Sequence, residues 1–258
     1  MKILVCIKSV PDRASSFRVN AAGASYDESG VVFGVNEYDL YAMEEAVRIK
    51  ERFREVEITA LTVGPPRAEA ALRQAMTLGA EHGIRIDDTE RPASDALAAA
   101  SLIAAWARPQ NFDLILAGVI SEDLQRGQTG PMLAQLLGLP CATTVAAVKM
   151  AEDRKSLIAE RELEGGIREQ VVLPFPALLT IQSGINTPRY ASLTNALRVK
   201  QLTIPVVRAA SLGPVRSCET LLRAYLPERN PACEFLQGDL VEVAEKLIEK
   251  VRARMPVW

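Results

Sequence analysis

Histidine is nearly absent from this 258-residue chain: His82 is the only one. A Ser-His-Asp triad, a histidine-rich metal centre and an imidazole proton shuttle all depend on that side chain. Its scarcity argues against hydrolytic and zinc-based chemistry. His82 stands between Gly79 and Ile84 and is expected in a turn. Cysteine is scarce too. Cys6, Cys141, Cys218 and Cys233 are scattered, with no C-x-x-C pair, so neither bridges nor metal ligation are expected. Three of them stand in apolar or strand-like surroundings and read as reduced core thiols of a cytoplasmic protein. No run approaches the ~20 apolar residues needed to cross a bilayer. The chain enters a strand pattern at once, without the pattern of a secretory leader. Charge of neither sign is in excess: 30 basic against 32 acidic residues, net −2. That balance gives neither the basic footprint of a nucleic-acid binder nor an acidic bulk for basic partners.

What is present is organised around residues 111–139, NFDLILAGVISEDLQRGQTGPMLAQLLGL. Phe112, Leu114, Ile115 and Leu116 read as a buried parallel strand that Gly118 ends. Residues 121–130 have loop chemistry, and Pro131 stands where a first helical residue is expected. Met132, Leu133, Leu136 and Leu137 form that helix's apolar face. A helix start leaves backbone N–H groups unpaired and carries roughly half a positive charge, so it attracts anions. Gly127 and Gly130 let a phosphate approach the backbone, and Gln128 and Thr129 add side-chain donors. The same strand–glycine–helix junction occurs in α/β proteins that bind no phosphate. The loop matches neither a Walker loop nor G-x-G-x-x-G.

Residues 2–10 (KILVCIKSV) read as the central strand of a parallel sheet. A long loop or hairpin over 15–35 follows, then a helix over 37–53 with Asn36 as its cap. A strand is expected at 57–63, a helix at 68–78 ended by Gly79, a short strand at 83–86 and an alanine-rich helix at 95–107. Alternation of this kind calls for a doubly wound, mostly parallel α/β sheet, which binds ligands at the carboxyl ends of its strands. Residues 6–9, 63–64 and 118–130 then share one rim. From 143 the pattern changes to antiparallel hairpins over 143–150, 156–163 and 169–173, with turns at 152–154 and 165–166. Residues 176–181 (PALLTI) return to a buried strand. Residues 186–200 are loop-like, then helical. A proline-bearing extended arm over 207–231 leads to a closing helix from Asp239.

Three segments together resemble the β subunit of electron transfer flavoproteins. They are MKILVCIKSVPD with NEYDLYAMEEAVRIKE, the loop SEDLQRGQTGPM, and AERELEGGIREQVVLPFPALLTI continuing into NTPRYASLTNALRVK. The match covers residues 1–207 and is weaker beyond. The resemblance implies a degenerate adenine-nucleotide-binding fold with a hairpin insertion, and an arm over 208–258 packing on the α subunit. It implies no catalytic residue. AMP sits in this subunit, and FAD is shared with or held by the α subunit. Electrons pass from an acyl-CoA dehydrogenase or similar flavoprotein toward a membrane-linked quinone reductase. By position, the nucleotide pocket falls on Cys6, Asn36, Glu37, Tyr38, Asp39, Val63, Gly118, Ser121, Glu122, Asp123, Gly127, Gln128 and Thr129. Here the chain reads V-I-S-E-D where the family usually has A-I-D-x-D. Leu193, flanked by Arg198 and Lys200, stands in the family's partner-recognition loop, although packing into its own domain is the alternative. Arg161, Glu162 and Glu164 fall on the hairpin that approaches the flavin in the family, or form a solvated salt-bridge set. A bifurcating β subunit with a second FAD and NADH as donor is the rival reading. A free-standing nucleotide-binding regulator is the rival from another class.

Overall fold

The computed structural model describes residues 1–23, 25–53, 55–90, 92–152, 155–227 and 233–254. In chain order the elements are β1 (Lys2–Cys6), β2 (Ser9–Pro11), β3 (Phe33–Val35), α1 (Glu37–Arg52), β4 (Glu57–Val63) and α2 (Ala68–Met76). Then come β5 (His82–Asp87), α3 (Ala96–Ala107), β6 (Leu114–Gly118), α4 (Thr129–Leu137), β7 (Cys141–Met150) and β8 (Ser156–Glu162). The last are β9 (Arg168–Pro174), β10 (Ala177–Ile181), α5 (Leu193–Gln201), β11 (Val206–Arg208) and α6 (Leu240–Arg254).

Apolar strands buried on both faces, β1, β4, β6 and β10, form the middle of one nine-stranded sheet, ordered β11-β5-β4-β1-β6-β10-β7-β8-β9. Every pairing from β11 to β7 is parallel; β8 and β9 add an antiparallel hairpin at the edge. Alternation along β1 divides the core. Ile3 and Val5 face α1 and α2, whereas Leu4 and Cys6 face α3 and α4. The chain leaves β1 toward β4 and β5, then returns through α3 to β6 on β1's other side. Between β1 and β6 the winding direction therefore reverses, and this is where such sheets open a crevice.

Several boundaries differ from the sequence expectation. The first strand breaks after Cys6, because β2 turns away to pair with β3. Helix α2 stops at Met76, and Gly79 (φ 148°) is not in the left-handed cap conformation. Helix α4 starts at Thr129, two residues before Pro131. His82 opens strand β5 rather than a turn, and its Nε2 lies 2.8 Å from Glu57 Oε1. Only Cys6 is a core thiol; Cys141 is half-buried, and Cys218 and Cys233 are exposed because the arm does not enter the core. In the first hairpin turn Asp153 and Arg154 lie outside the described residues, as do Pro231 in the arm and Met255 after α6. The second turn holds Gly165 and Gly166 both at φ 76°, which suits residues lacking Cβ. Helix α6 is capped by Asp239, whose carboxylate accepts from the N–H groups of Val241 and Glu242 at 2.9 Å each, and it buries none of its residues.

Candidate functional site

The carboxyl ends of β1, β4 and β6 meet the N-termini of α3 and α4 around a cavity of about 190 Å³. One wall is apolar: Cys6, Leu61, Val63, Ala99 and Ile103. The other is polar: Lys8, Asp39 and the loop 126–130 that opens α4. Helix α4 leaves the amides of Thr129 and Gly130 without helical partners, and Gln128 makes no capping bond. The arrangement offers a flat apolar slot beside a positive helix end, which suits a planar ring carrying a phosphate.

Asp39 holds this rim together. Its buried carboxylate accepts from Lys8 N at 2.7 Å and from Gly118 N at 2.9 Å, tying α1 to the ends of β1 and β6. Burial pushes its pKa up to about 7, against those bonds, which favour the ionised form. Burial, with Asp39 beside it, pushes the Cys6 thiol up to about 12, so Cys6 serves as an inert wall. Asn36 does not cap α1. It spans instead to the loop after β6, its Nδ2 donating to Ile120 O at 2.9 Å and its Oδ1 accepting from Glu122 N at 3.1 Å.

Of the expected pocket residues, Cys6, Asn36, Asp39, Val63, Gly118, Ser121, Gly127, Gln128 and Thr129 line the cavity. Glu37, Tyr38, Glu122 and Asp123 do not. Glu122 turns to Arg13 (2.7 Å) and accepts from Glu37 N (3.2 Å). Asp123 turns to Lys8, accepting from its Nζ at 2.7 and 2.8 Å. Burial opposes the charge on Asp123, yet bonds from Lys8 and Ser121 outweigh it and hold the pKa below its ordinary value. Gly127 takes φ 63°, the left-handed turn. A Cβ on Gly130 would run into Thr180 of β10, which accounts for glycine there. A Cβ on Gly118 would lie 2.5 Å from Asp39 Oδ1 and 2.6 Å from Tyr38 Cβ. Gly118→Ala is therefore expected to cost about 1–3 kcal/mol by pushing α1 off the rim. Chemical denaturation measures this, and a neutral result would mean that α1 moves freely.

The sequence analysis missed Asp95 and Arg126. Asp95 caps α3, accepting from Ala98 N at 2.7 Å, a signal legible in Ser-Asp before an alanine run. Arg126 is the one cation of its loop, which a charge count along 121–130 would have found.

A larger cavity of about 340 Å³ opens at the opposite, amino-end edge beside Lys2, His82, Trp106 and Phe112. The C-terminal ends of α2, α3 and α5 converge on it, so its field is negative and unsuited to phosphate.

Leu193 is the first residue of α5 and 76% exposed, with Tyr190 and Leu197 exposed nearby, so it does not pack into its own domain. Lys200 is also exposed, whereas Arg198 is committed to Ala80 O at 2.8 Å. On the hairpin, Arg161 reaches Thr143 Oγ1 (2.9 Å) and Glu169 (3.5 Å), and Arg168 reaches Glu160 (2.8 Å) and Glu162 (3.9 Å). Among the described residues, no cluster of three His, Cys, Asp or Glu side chains is placed to hold a metal, and no helix is long and apolar enough to cross a membrane.

Sheet, switch point and rim define a doubly wound α/β protein with a crevice at the carboxyl ends of its central strands. Residues 24–212 match the family model described as the electron transfer flavoprotein domain. The chain is 33% identical over 257 residues to electron transfer flavoprotein subunit beta of Methylophilus methylotrophus, covering 96% of this chain and 97% of that protein. It is 32% identical to the subunit of the same name in Bacillus subtilis, covering 100% of both. To the human one it is 32% identical, covering 98% of this chain and 97% of that protein. The chain belongs to the electron transfer flavoprotein β-subunit family, and its role is electron transfer.

Proposed function

We propose that this chain holds AMP at the carboxyl-edge cavity and pairs with an α subunit that carries FAD. The heterodimer shuttles electrons from an acyl-CoA dehydrogenase or similar flavoprotein toward a membrane-linked quinone reductase. The observation that carries the nucleotide reading is the cavity at the switch point. There the α4 N-terminus faces the apolar wall of Cys6 and Val63 across about 190 Å³. The chain's own residues bind and orient; FAD supplies the redox chemistry when bound. Residues 1–207 form the nucleotide-binding unit in this reading, although sheet and core contacts continue through Arg208 and Ala209. The arm beyond, with α6 and its exposed Leu240, Leu247, Ile248 and Val251, packs on the α subunit.

The test is co-expression with the α subunit, then denaturation and chromatography of released cofactors. One FAD and one AMP per heterodimer support the proposal. Two FAD and no AMP move the reading to a bifurcating subunit with NADH as donor. No stable partner and no flavin overturn it. A second expectation concerns the docking face. Leu193→Ala should weaken binding of the donor flavoprotein by about tenfold or more, as loss of an interface anchor does. Because Leu193 is exposed, the melting temperature should stay put. Unchanged affinity by titration would remove Leu193 from the interface.

A further inference from the structure

The cavity is lined by two cations, and each is paired differently. Lys8 is held within the rim itself, by both oxygens of Asp123 and by Ser121 Oγ at 3.1 Å. Arg126, on the loop that opens α4, is instead paired with Glu219 of the C-terminal arm. That carboxylate comes from outside the sheet and is delivered by a specific clasp. Asp95, which also lines the cavity, caps α3 with one oxygen. Its other oxygen accepts from Ser217 Oγ (2.8 Å), Cys218 N (2.5 Å) and Glu219 N (3.0 Å). Ser94 Oγ lies 2.9 Å from Ser217 Oγ. Burial acts against the Asp95 charge, but these bonds outweigh it and keep the carboxyl below its ordinary value, so the clasp is anionic throughout the neutral range. The arm thus bonds to two residues that line the cavity and places a carboxylate on the guanidinium just before α4.

We infer that Arg126 is a ligand-reading residue and that Glu219 is an internal stand-in for the phosphate of the bound nucleotide. This rests on the reading that the cavity holds a phosphorylated adenine nucleotide. The pair is open to exchange: the side chains are 41% and 39% exposed, and ion pairs of that kind are worth only about 0.2–1 kcal/mol. A phosphate at the helix end carries more charge than one carboxylate and presents more oxygens to the planar fork of arginine, so it displaces Glu219. Nucleotide occupancy is thereby linked to the arm. The residues just after the clasp carry exposed Leu221, Leu222, Tyr225 and Leu226, the arm's apolar surface for its partner. By linkage, a nucleotide that competes with Glu219 loosens the arm's hold on this subunit, and a change that releases Glu219 from Arg126 raises nucleotide affinity by the same factor.

The test uses the heterodimer stripped of nucleotide and titrated with AMP in a calorimeter. Glu219→Gln keeps the backbone clasp on Asp95 and removes only the competing charge. It should bind AMP about two- to fivefold more tightly than the native protein. Arg126→Gln should bind more weakly, and adding Glu219→Gln to it should change nothing further, because the competition runs only through the guanidinium. AMP should also raise hydrogen exchange over 217–221 in the native heterodimer. Equal or weaker AMP binding by Glu219→Gln overturns the inference, as does an unchanged Glu219→Gln effect without Arg126; both leave the nucleotide reading intact. Absence of AMP binding in the native heterodimer and every variant overturns the nucleotide reading and the inference with it.

Discussion

Asp39→Ala is expected to destabilise the protein by about 2–4 kcal/mol near neutral pH, because both buried backbone donors lose their acceptor. The carboxylate serves Lys8 N with one oxygen and Gly118 N with the other. Alanine leaves both N–H groups without a side-chain acceptor at every pH and carries no titrating proton. The penalty should grow as pH falls. The folded-state pKa is raised to about 7 from an ordinary 3.8. The stability tied to this proton is fully present below the unfolded value. It is lost as pH climbs through the interval, since the unfolded chain gives up its proton first, and the loss ends near 7. The slope is about 1.4 kcal/mol per pH unit within the window. The alanine variant lacks this slope, so the gap between the two proteins should be widest near pH 5 and narrowest near pH 8. Urea denaturation at unit pH steps measures the difference between the curves, which cancels other titrating groups. Parallel curves would show that Asp39 does not hold its proton through this range. Nucleotide affinity should fall in the variant as well, since the same two bonds set the spacing of the rim.

The second large effect concerns Arg189. It donates to buried Glu44 at 2.8 and 2.9 Å and to Glu51 at 2.6 and 3.1 Å, pinning the segment before α5 onto α1. Asn186 adds bonds to Tyr41 O (3.0 Å) and Glu45 (3.1 Å). These bonds hold Leu193 outward on its short helix. Arg189→Met should cost about 3 kcal/mol, because Glu44 is left in the interior with only the backbone N–H of residue 189 at 3.2 Å and Arg48 at 4.0 Å. Exchange and proteolysis over 186–192 should rise together. Adding Glu44→Leu should recover most of the stability, since replacing a buried pair by apolar groups is often neutral. It should not restore protection of the loop, which depends on the arginine. Full recovery of both would make the pair a packing feature with no part in presenting Leu193.

The element order was legible because its signals are local. Strand β4 (Glu57–Val63) stands where its apolar run ends at Gly-Pro-Pro, and β8 and β9 lie on either side of Gly165-Gly166. Boundaries slipped where long-range contacts decide them. Asn36 reads as a helix cap because its neighbours are helical, but its side chain finds Ile120 and Glu122 across the sheet. Pro131 marks a first turn that in fact begins at Thr129.

By itself, then, the sequence determined the alternation of strand and helix and the strand–loop–helix junction at 118–130. Periodicity, turn residues and composition act over a few positions and can be read without a fold. Only the tertiary structure decided which acidic groups face the cavity. Asp39 enters it while Asp123 is spent on Lys8 and Glu122 on Arg13. It also decided that Arg126 meets Glu219 and that the arm is fastened to Asp95. Those partners are far apart in the chain, and a side chain's charge says nothing about which opposite charge the winding of the sheet will bring to it.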